Sequence, residues 1–521
     1  MSDTSNINNN TSNLGKTVAK TAALMTVLTL VSKCLGFVRE MVIAVFFGTS
    51  YIVDAYVMAQ SIPGMLFGGI FSSIGTAYMP AFSSIVEKNG RDAGNRFTNE
   101  ILNLSMILAV IAFGIGALFA EQLVAVIAPK FAPETAALTT FYLRISFSYM
   151  IFSCGISIFS AYLQYKGNFL KPIISGYFQN LGIVIIAAVS AYTNYYYLAF
   201  GMLVGYALRY LFIFIAVKKE GYQYEPKIVL NEPVKQIMVL AVPVFIGSCI
   251  SQLNNFVDKT LASGLQEGSI SALNYGMMLV SLITGLTTSV IASIIYPKIT
   301  KARSNDDWTF FNTAVERGMT VVMIIGIPFG LGAMVFAEDV VQIVYERGAF
   351  DEAATALTGT AFLYYASGLV FIALRELLTY VYYSVRDMKT PVICGAVGVA
   401  VNIILSLMLV GKMAHGGLAL ATSIATAVNV VMQYFLLIRK YREIKIFRSK
   451  QQLVKIIIAS VIAVGTAFGV HRGLIAVVWM PRFVYLGIVV AVSCLVYLAM
   501  LAALKVDEIK ILKAIVEKTG Q

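Results

Sequence analysis

Residues 30–63 read LVSKCLGFVREMVIAVFFGTSYIVDAYVMAQSIP, and this stretch decides the class of the fold. Two apolar runs flank a short Gly-Thr-Ser turn, and the only charged residues are Lys33, Arg39, Glu40 and Asp54. A helix that crosses a bilayer needs roughly 20 mostly apolar residues. The stretch therefore predicts two membrane-spanning helices joined by a tight turn.

The composition of the whole chain agrees with this interpretation. Of its 521 residues, 58% are hydrophobic and only 13% are charged, and the mean hydropathy is +0.79. Soluble domains carry about 25% charged residues. The chain is therefore an integral membrane protein, which excludes a cytosolic enzyme, a secreted disulfide scaffold and a nucleic-acid binder. We attribute the net charge of +12 to cytoplasmic loops.

The hydropathy pattern predicts an all-α polytopic protein with 14 transmembrane helices. The predicted spans are 19–47, 51–84, 98–128, 136–165, 170–193, 195–217, 235–264, 268–297, 309–337, 353–385, 390–411, 416–438, 451–471 and 481–504. Residues 1–15 are rich in Asn, Ser and Thr and predict a disordered cytoplasmic tail without the pattern of a cleavable signal peptide.

The loop charges predict the orientation of the spans. With a cytoplasmic N-terminus, 18 Lys and Arg residues fall in cytoplasmic turns and five fall in outer turns. Cytoplasmic loops carry the excess of Lys and Arg in membrane proteins. The asymmetry predicts that both termini are cytoplasmic.

Three short matches indicate an internal repeat. FVRE at 37–40 matches FVDK at 256–259, and KPIISG at 171–176 matches TPVICG at 390–395, both with an offset of 219 residues. Pro80 and Pro297 match with an offset of 217. We expect a parallel repeat of six-helix halves with a central cavity between them. The predicted segments are an N-lobe over 16–218, a cytoplasmic linker over 219–234, a C-lobe over 235–440, and helices 13 and 14 with the C-terminus over 441–521.

Charged residues inside the first helix are the main candidates for a functional site, because an ionised side chain in the hydrocarbon is costly. Lys33 and Glu40 share one face of this helix, whereas Arg39 points about 100° away from Glu40 and needs another partner. Asp54 is the obvious candidate. Arg39 then either forms a structural pair with Asp54 or lines a cavity that receives an anionic substrate. Arg375 is a further, deeply placed candidate.

A second group of residues suggests a cation site. Asp258, Asn402, Ser406 and Thr422 carry oxygen atoms, and hard cations such as Na⁺ prefer oxygen ligands. Ordinary hydrogen bonds between helices are the alternative interpretation. The five cysteines and two histidines lack metal-ligand spacing, so we predict no other metal centre and no cofactor.

Beyond these residues, the sequence resembles the MurJ (MviN) family of lipid II flippases. The resemblance rests on residues 30–63, on YERGAFDEAAT at 345–355, on VRDMKTP at 385–391 and on HGGLALATSIATAVN at 415–429. It covers nearly the whole chain after residue 15. The family belongs to the multidrug/oligosaccharidyl-lipid/polysaccharide exporter superfamily.

The resemblance implies a transporter of the bacterial cytoplasmic membrane and not an enzyme. Its substrate would be undecaprenyl-pyrophosphate-linked peptidoglycan precursor, moved from the inner to the outer leaflet by alternating access. It implies substrate-binding positions at Lys33, Arg39 and Asp54, and cation-binding positions at Asp258, Asn402 and Thr422. It also implies coupling to Na⁺, H⁺ or the membrane potential. Membrane lipids and the cell-wall synthesis machinery would be partners.

Two positions depart from the family pattern. Phe67 and Met278 stand where many members carry arginine. This leaves a flippase for another undecaprenyl-linked glycan as an alternative. A multidrug exporter of the same superfamily is a weaker alternative, because such a protein would usually have twelve helices and acidic cavity residues. A membrane enzyme is weaker still, because the acidic residues of 338–352 suggest a solvated turn.

Overall fold

A computed structural model describes residues 3–226, 232, 234–235, 252–445, 450–477 and 482–506. Helices make up nearly all of this part of the chain, and the residues described contain no strand. The predicted all-α class is confirmed. Long apolar segments favour helices because, in lipid, a helix satisfies all of its backbone hydrogen bonds internally.

The chain divides into two compact units, Met1–Ile270 and Ser271–Gln521. The helices of the first unit are α1 (Asp3–Phe47), α2 (Tyr51–Pro63), α3 (Gly69–Leu118), α4 (Ala120–Ile127), α5 (Pro133–Ser146), α6 (Tyr149–Tyr165), α7 (Leu170–Tyr192), α8 (Phe200–Lys219) and α9 (described over 252–262). A π-helix, Gly64–Gly68, joins α2 to α3, and a 3₁₀ turn, Tyr195–Ala199, precedes α8.

The helices of the second unit are α10 (Ser269–Val290), α11 (Tyr296–Ser304), α12 (Trp308–Val335), α13 (Ala337–Tyr345), α14 (Glu352–Ala366), α15 (Leu369–Ser384), α16 (Lys389–Lys440), α17 (Lys450–Val477) and α18 (Arg482–Ala503). A π-helix, Ile291–Ile295, joins α10 to α11. Helix α13 lies within the acidic segment 338–352, where we had predicted a solvated turn.

The boundary between the units differs from the predicted lobe boundary. The sequence assigned 235–264 to the C-lobe, whereas the described residues 252–264 lie in the first compact unit. Contacts to α2 explain the difference for the part that is described. Lys259 reaches the carbonyl of Val57, and Gly268 donates its N–H to Asp54. Residues 227–231 and 236–251 lie mostly in the predicted linker and the seventh span, outside the described residues.

The first helix begins earlier than predicted. Helix α1 includes Asp3, so residues 3–15 are helical where a disordered tail was expected. Helix propagation adds one hydrogen bond for each residue fixed, and no proline interrupts the sequence before Phe47. An apolar helix can therefore extend into a polar segment that would not nucleate a helix alone.

Two of the long helices contain a sharp break. Gly90 within α3 has φ 82° and ψ 177°, and Ala414 within α16 has φ 48° and ψ −133°. Glycine adopts such a positive φ easily, whereas alanine does so only with strain. Gly90 lies in the predicted cytoplasmic turn after span 2, and Ala414 lies in the predicted outer turn after span 11.

Two bent helix pairs have nearly the spacing that the predicted repeat requires. Helices α5 and α6 meet at a 40° bend after Ser146, and α14 and α15 meet at a 44° bend after Ala366. These two bends are 220 positions apart. The offset agrees with the repeat that we derived from short sequence matches.

The described helices account for a multi-pass membrane protein. Eight of them are long and apolar enough to cross a bilayer, and the number rises to ten if each bent pair counts as one span. Small residues allow close packing between some of these helices. A Cβ atom at Gly205 of α8 would come within 2.7 Å of the carbonyl oxygen of Gln179 in α7.

Candidate functional site

Arg39 lies in α1 and forms an ion pair with its neighbour Glu40. The guanidinium NH2 lies 2.5 Å from Glu40 Oε1, and NH1 donates to Asn180 Oδ1 of α7 at 3.3 Å. The side chain of Glu40 is 5% exposed and that of Arg39 is 19% exposed. We had predicted Asp54 as the partner of Arg39, and that prediction is wrong. Both side chains of the pair are long enough to close the angle between consecutive helical positions.

Asp54 has a different role in the structure. Its Oδ2 atom accepts a hydrogen bond of 2.8 Å from the N–H of Gly268, immediately before α10. A carboxylate is stabilised near a helix N-terminus, where N–H groups are unsatisfied and the helix dipole is positive. Close by, Glu267 accepts a 2.8 Å hydrogen bond from the N–H of Tyr51. Asp54 therefore joins α2 to the segment between α9 and α10, at the end that we predict to be the outer one.

Lys259 of α9 places a second cation against α2. Its ammonium donates to the carbonyl of Val57 at 3.4 Å and to the hydroxyl of Ser61. Both acceptors are neutral. In the sequence repeat, Lys259 corresponds to Glu40, and Asp258 corresponds to Arg39 with reversed sign.

The other predicted substrate-binding residues lie elsewhere. Lys33 of α1 and Arg375 of α15 are exposed. Arg375 is next to Glu376, whose carboxylate accepts a hydrogen bond from Thr288 of α10. These contacts do not bring Arg375 to the Arg39 pair. Lys33, Arg39 and Asp54 all belong to the first unit, whereas Arg375 belongs to the second.

Three of the four predicted cation ligands lie together in α16. Asn402 donates its amide N–H to Thr422 Oγ1 at 3.0 Å, and Ser406 donates its hydroxyl to Asn402 Oδ1 at 3.4 Å. Thr422 also donates to the carbonyl of Leu418 at 3.1 Å. Asp258 belongs to the first unit, where it accepts from Asn254 at 3.5 Å.

The cluster of Asn402, Ser406 and Thr422 has the right chemistry for a hard cation, since it offers one amide and two hydroxyl oxygens. In the structure, those oxygen atoms take part in hydrogen bonds within the cluster. A cation would have to compete with the Asn402–Thr422 and Ser406–Asn402 hydrogen bonds. Among the described residues, no group of three or more His, Cys, Asp or Glu side chains could hold a metal ion.

The sequence did not reveal several residues of the site. Asn180 contacts Arg39, Ser61 contacts Lys259, and Glu267 accepts from the backbone N–H of Tyr51. Each is a common polar residue without a motif around it. Tyr56 is also part of this region, because it is buried and its hydroxyl has no hydrogen-bond partner among the described residues. Its ring contacts that of Tyr142, with 6.4 Å between the ring centroids. The sequence therefore identified the cations and missed their partners.

Taken together, the first unit presents two differently held cations. Arg39 is neutralised by a carboxylate, whereas Lys259 is held by neutral oxygen atoms. Such groups can bind an anion through charge-assisted hydrogen bonds. The arrangement therefore contains polar groups that suit an anionic ligand.

Comparison with known proteins gives a consistent result. The sequence model of the family described as "Lipid II flippase MurJ" matches residues 43–498. A relative from Rhizobium tropici, named "Probable lipid II flippase MurJ", is 27% identical over 424 residues, which cover 79% of each chain.

Solved structures support the fold. The structure "Lipid II flippase MurJ, inward closed conformation" superposes with a TM-score of 0.80 at 24% identity, covering 94% of this chain and all of the other. An inward-facing multidrug resistance MATE transporter of the MOP superfamily gives a TM-score of 0.66 at 12% identity, covering 80% of this chain and 98% of that protein. The resemblance found in the sequence is confirmed, and because the family model covers most of the residues, this chain belongs to the MurJ family of lipid II flippases.

Proposed function

We propose that this protein moves lipid II, the undecaprenyl-pyrophosphate-linked peptidoglycan precursor, from the inner to the outer leaflet of the bacterial cytoplasmic membrane. The family match over residues 43–498 is the observation that carries the proposal. Lipid II needs a transporter because its pyrophosphate and attached sugars cannot enter hydrocarbon without a compensating polar environment. The proposed mechanism is alternating access by the two halves.

Arg39 has the central role in this proposal. Its guanidinium is held by Glu40 and Asn180, so its position is fixed before an anion arrives. Arginine pairs well with phosphate because its planar donors match two oxygen atoms at once. We expect the substrate pyrophosphate to share the guanidinium with Glu40, while Lys33 attracts the anion from a more exposed position.

The proposal includes fourteen membrane crossings with both termini in the cytoplasm. Ten crossings are the eight long helices and the two bent pairs. Two of the eight, Tyr51–Leu118 and Lys389–Lys440, are 68 and 52 residues long and are interrupted at Gly90 and Ala414, so each provides two crossings. Helix α1 and the helix that contains 252–262 complete the set.

A cation gradient is the proposed driving force. Asn402, Ser406 and Thr422 of the second unit would hold a Na⁺ ion through oxygen atoms. H⁺ or the membrane potential would serve the same purpose without this site. Transport in vesicles that depends on a Na⁺ gradient, and that loses this dependence in Asn402→Ala, is the expected outcome. Transport that is indifferent to Na⁺ would assign the coupling to H⁺ or to the potential.

Complementation tests the function directly. The native lipid II flippase of a bacterium is depleted, this protein is expressed, and surviving colonies are counted. We expect rescue by the wild type and loss of rescue by Arg39→Ala. Arg303→Ala is the matched control, because Arg303 pairs with Asp306 in a turn outside the predicted spans.

Membrane abundance must be equal for all three proteins. Rescue by Arg39→Ala at equal abundance would exclude the role that we propose for Arg39 while preserving the function. Failure of the well-expressed wild type would contradict lipid II transport and favour another undecaprenyl-linked glycan. In that case Phe67 and Met278 would be the first positions to restore to arginine.

A further inference from the structure

Lys259 is a cation in a neutral environment. Its ammonium contacts the carbonyl of Val57 and the hydroxyl of Ser61, and the side chain is partly buried between α9 and α2. Within the part of the chain that is described, no carboxylate lies within ion-pair distance of this ammonium. The arrangement contrasts with Arg39 in the same unit, which has Glu40 as its counter-ion.

One of the two oxygen atoms that hold Lys259 also accepts a hydrogen bond from a second donor. The carbonyl of Val57 already accepts a hydrogen bond from the hydroxyl of Ser61 one turn later. An acceptor that serves two donors offers each a weaker bond than a dedicated carboxylate would. A charge removed from water is normally paired, because its desolvation is otherwise uncompensated. The ammonium is therefore held in place but not neutralised.

Open space lies at Gly68, in the π-helix that follows α2. Nine of the thirteen residues of α2 are buried, whereas the π-helix Gly64–Gly68, which follows it, has no buried residue. A Cβ atom added at Gly68 would meet no heavy atom within 4 Å. Single π-helical turns inside α-helices often occur at functional sites. An anionic group therefore has room at Gly68, about two helical turns after Ser61.

We propose that Lys259 is an additional anion-binding residue of the first unit, which exchanges the neutral oxygens of Val57 and Ser61 for a phosphate oxygen of the substrate. This inference rests on the proposed function, because it takes the substrate to be a polyprenyl pyrophosphate. Charge-assisted bonds to phosphate are stronger than bonds to a neutral carbonyl or hydroxyl.

The exchange would also change the contact between two helices. In the structure, the Lys259 side chain bridges α9 to α2 just before Pro63. Transfer of the ammonium to a phosphate removes this bridge. Substrate binding would therefore loosen α9 from α2 at a point where proline already deprives the helix of one backbone hydrogen bond.

Binding of undecaprenyl pyrophosphate to the purified full-length protein tests the proposal, with undecaprenol as the uncharged comparison. Lys259→Met keeps the length of the side chain and removes its charge. We expect this variant to bind the pyrophosphate at least about tenfold more weakly than the wild type. Binding of undecaprenol should not change. Lys259→Arg should retain affinity, and Lys235→Met, at an exposed lysine paired with Glu232, is the control.

Ser61→Ala separates this role from a purely structural one. The variant removes one neutral acceptor of the ammonium and leaves the charge in place. If Lys259 exchanges partners, Ser61→Ala binds the pyrophosphate more tightly than the wild type. If Lys259 serves only to join α9 to α2, Ser61→Ala lowers the melting temperature and leaves pyrophosphate affinity unchanged, and the proposal is wrong.

The remaining outcomes distinguish this inference from the proposed function. If the wild type prefers the pyrophosphate to undecaprenol and Lys259→Met shows the same preference, the function stands and the role of Lys259 is rejected. If the wild type shows no preference for the pyrophosphate and does not rescue the depleted bacterium, the proposed function fails first. A melting temperature measured for every variant identifies any that do not fold.

Discussion

At the scale of single residues, the pairing of Arg39 with Glu40 keeps a strong cation inside the first unit without leaving it uncompensated. The carboxylate is almost completely buried, and the guanidinium is mostly so. Removal of one member of such a pair leaves the other charge without its counter-ion, which costs more free energy than removal of both. The pair should therefore behave as a unit in mutagenesis.

The first prediction follows from this coupling. We expect Glu40→Gln to lower the free energy of unfolding in detergent by up to about 3 kcal/mol, because Arg39 loses its counter-ion. The double variant Arg39→Gln/Glu40→Gln should lose less stability than the sum of the two single variants. Thermal unfolding of all four proteins gives the coupling energy. Additive losses would show that the two side chains act independently.

The sequence located the charged residues but not their partners. Lys33, Arg39, Asp54 and Asp258 stood out because charge is rare in apolar segments. Helical geometry predicts the direction in which each side chain leaves the helix. It does not predict the side-chain conformations that bring the guanidinium of Arg39 to the carboxylate of Glu40. Asp54 was assigned to Arg39 because a helix N-terminus that offers a backbone N–H has no signature in the sequence. Side-chain pairing depends on tertiary packing, which periodicity does not contain.

At the scale of helices, matching turns in the two halves are fastened by ion pairs of opposite polarity. In the first unit, Lys171 donates to Glu220 at 2.7 Å. In the second, Lys440 donates to Asp387 at 2.7 Å. The residue that comes first in the chain is basic in the first unit (Lys171) and acidic in the second (Asp387). The residue that comes second is acidic in the first unit (Glu220) and basic in the second (Lys440). The first contact fixes the start of α7 to the end of α8, and the second joins the two ends of α16, which is broken at Ala414. Both contacts lie on the side that we predict to be cytoplasmic.

The second prediction concerns Asp387. Burial raises the pKa of this carboxyl, but hydrogen bonds from Lys440 and Thr390 outweigh burial and bring the pKa below its ordinary value. The stabilisation is thus present above the unfolded-state pKa of about 4 and is lost as the pH falls through the folded-state pKa. We expect Asp387→Asn to lower the melting temperature by about 2–4 °C at pH 7.

Asp387→Ala should lower the melting temperature further, because asparagine still accepts the backbone N–H of Thr390 and alanine cannot. The difference between the wild type and Asp387→Asn should shrink as the pH is lowered below about 4, where the unfolded carboxyl is protonated. A difference that stayed constant to the lowest accessible pH would contradict the assigned role of the charge.

The third prediction tests close packing between α7 and α8. A Cβ atom at Gly205 would lie 2.7 Å from the backbone oxygen of Gln179, whereas a Cβ atom at Gly201 would find its nearest neighbour at 3.6 Å. Backbone atoms cannot move aside as a flexible side chain can. We expect Gly205→Ala to cost about 1–3 kcal/mol, as overpacking generally does. Gly201→Ala should be close to neutral, and equal losses in both variants would argue against tight packing at Gly205.

Helix positions were easier to predict than helix ends. Most of the predicted spans coincide with described helices, because a long apolar run has few alternatives in a membrane. The breaks at Gly90 and Ala414 fall where turns were predicted, but the helices continue up to them and leave almost no loop. Polar residues such as Lys88 and Arg91 remain helical because water can solvate them beyond the bilayer. Hydropathy therefore predicts where a helix leaves the membrane but does not predict where the helix ends.

At the scale of the whole molecule, the compact units do not coincide with the sequence repeat. The repeat predicts that the second half begins near residue 235, whereas the second compact unit begins at Ser271. The contacts of Lys259 with Val57 and of Gly268 with Asp54 bind the intervening segment to the first unit. The predicted repeat is a pattern of residues in the sequence. The compact units reflect the contacts made in one conformation, so the boundary between the units and the boundary of the repeat need not coincide.

The last prediction concerns the number of crossings and the side on which each turn lies. The distribution of positive charge predicts that Gly90 and the C-terminus are cytoplasmic and that the Lys130 and Ala414 turns are outside. Reporter fusions at these four points distinguish the possibilities, with green fluorescent protein active inside and alkaline phosphatase active outside. We expect fluorescence at Gly90 and at Gln521, and phosphatase activity at Lys130 and at Ala414. The Ala414 fusion is the most decisive, because a single 52-residue crossing by Lys389–Lys440 would leave it in the membrane and place the C-terminus outside. Phosphatase activity at Gln521 would therefore contradict fourteen crossings, whereas the expected pattern would confirm that Ala414 separates two of them.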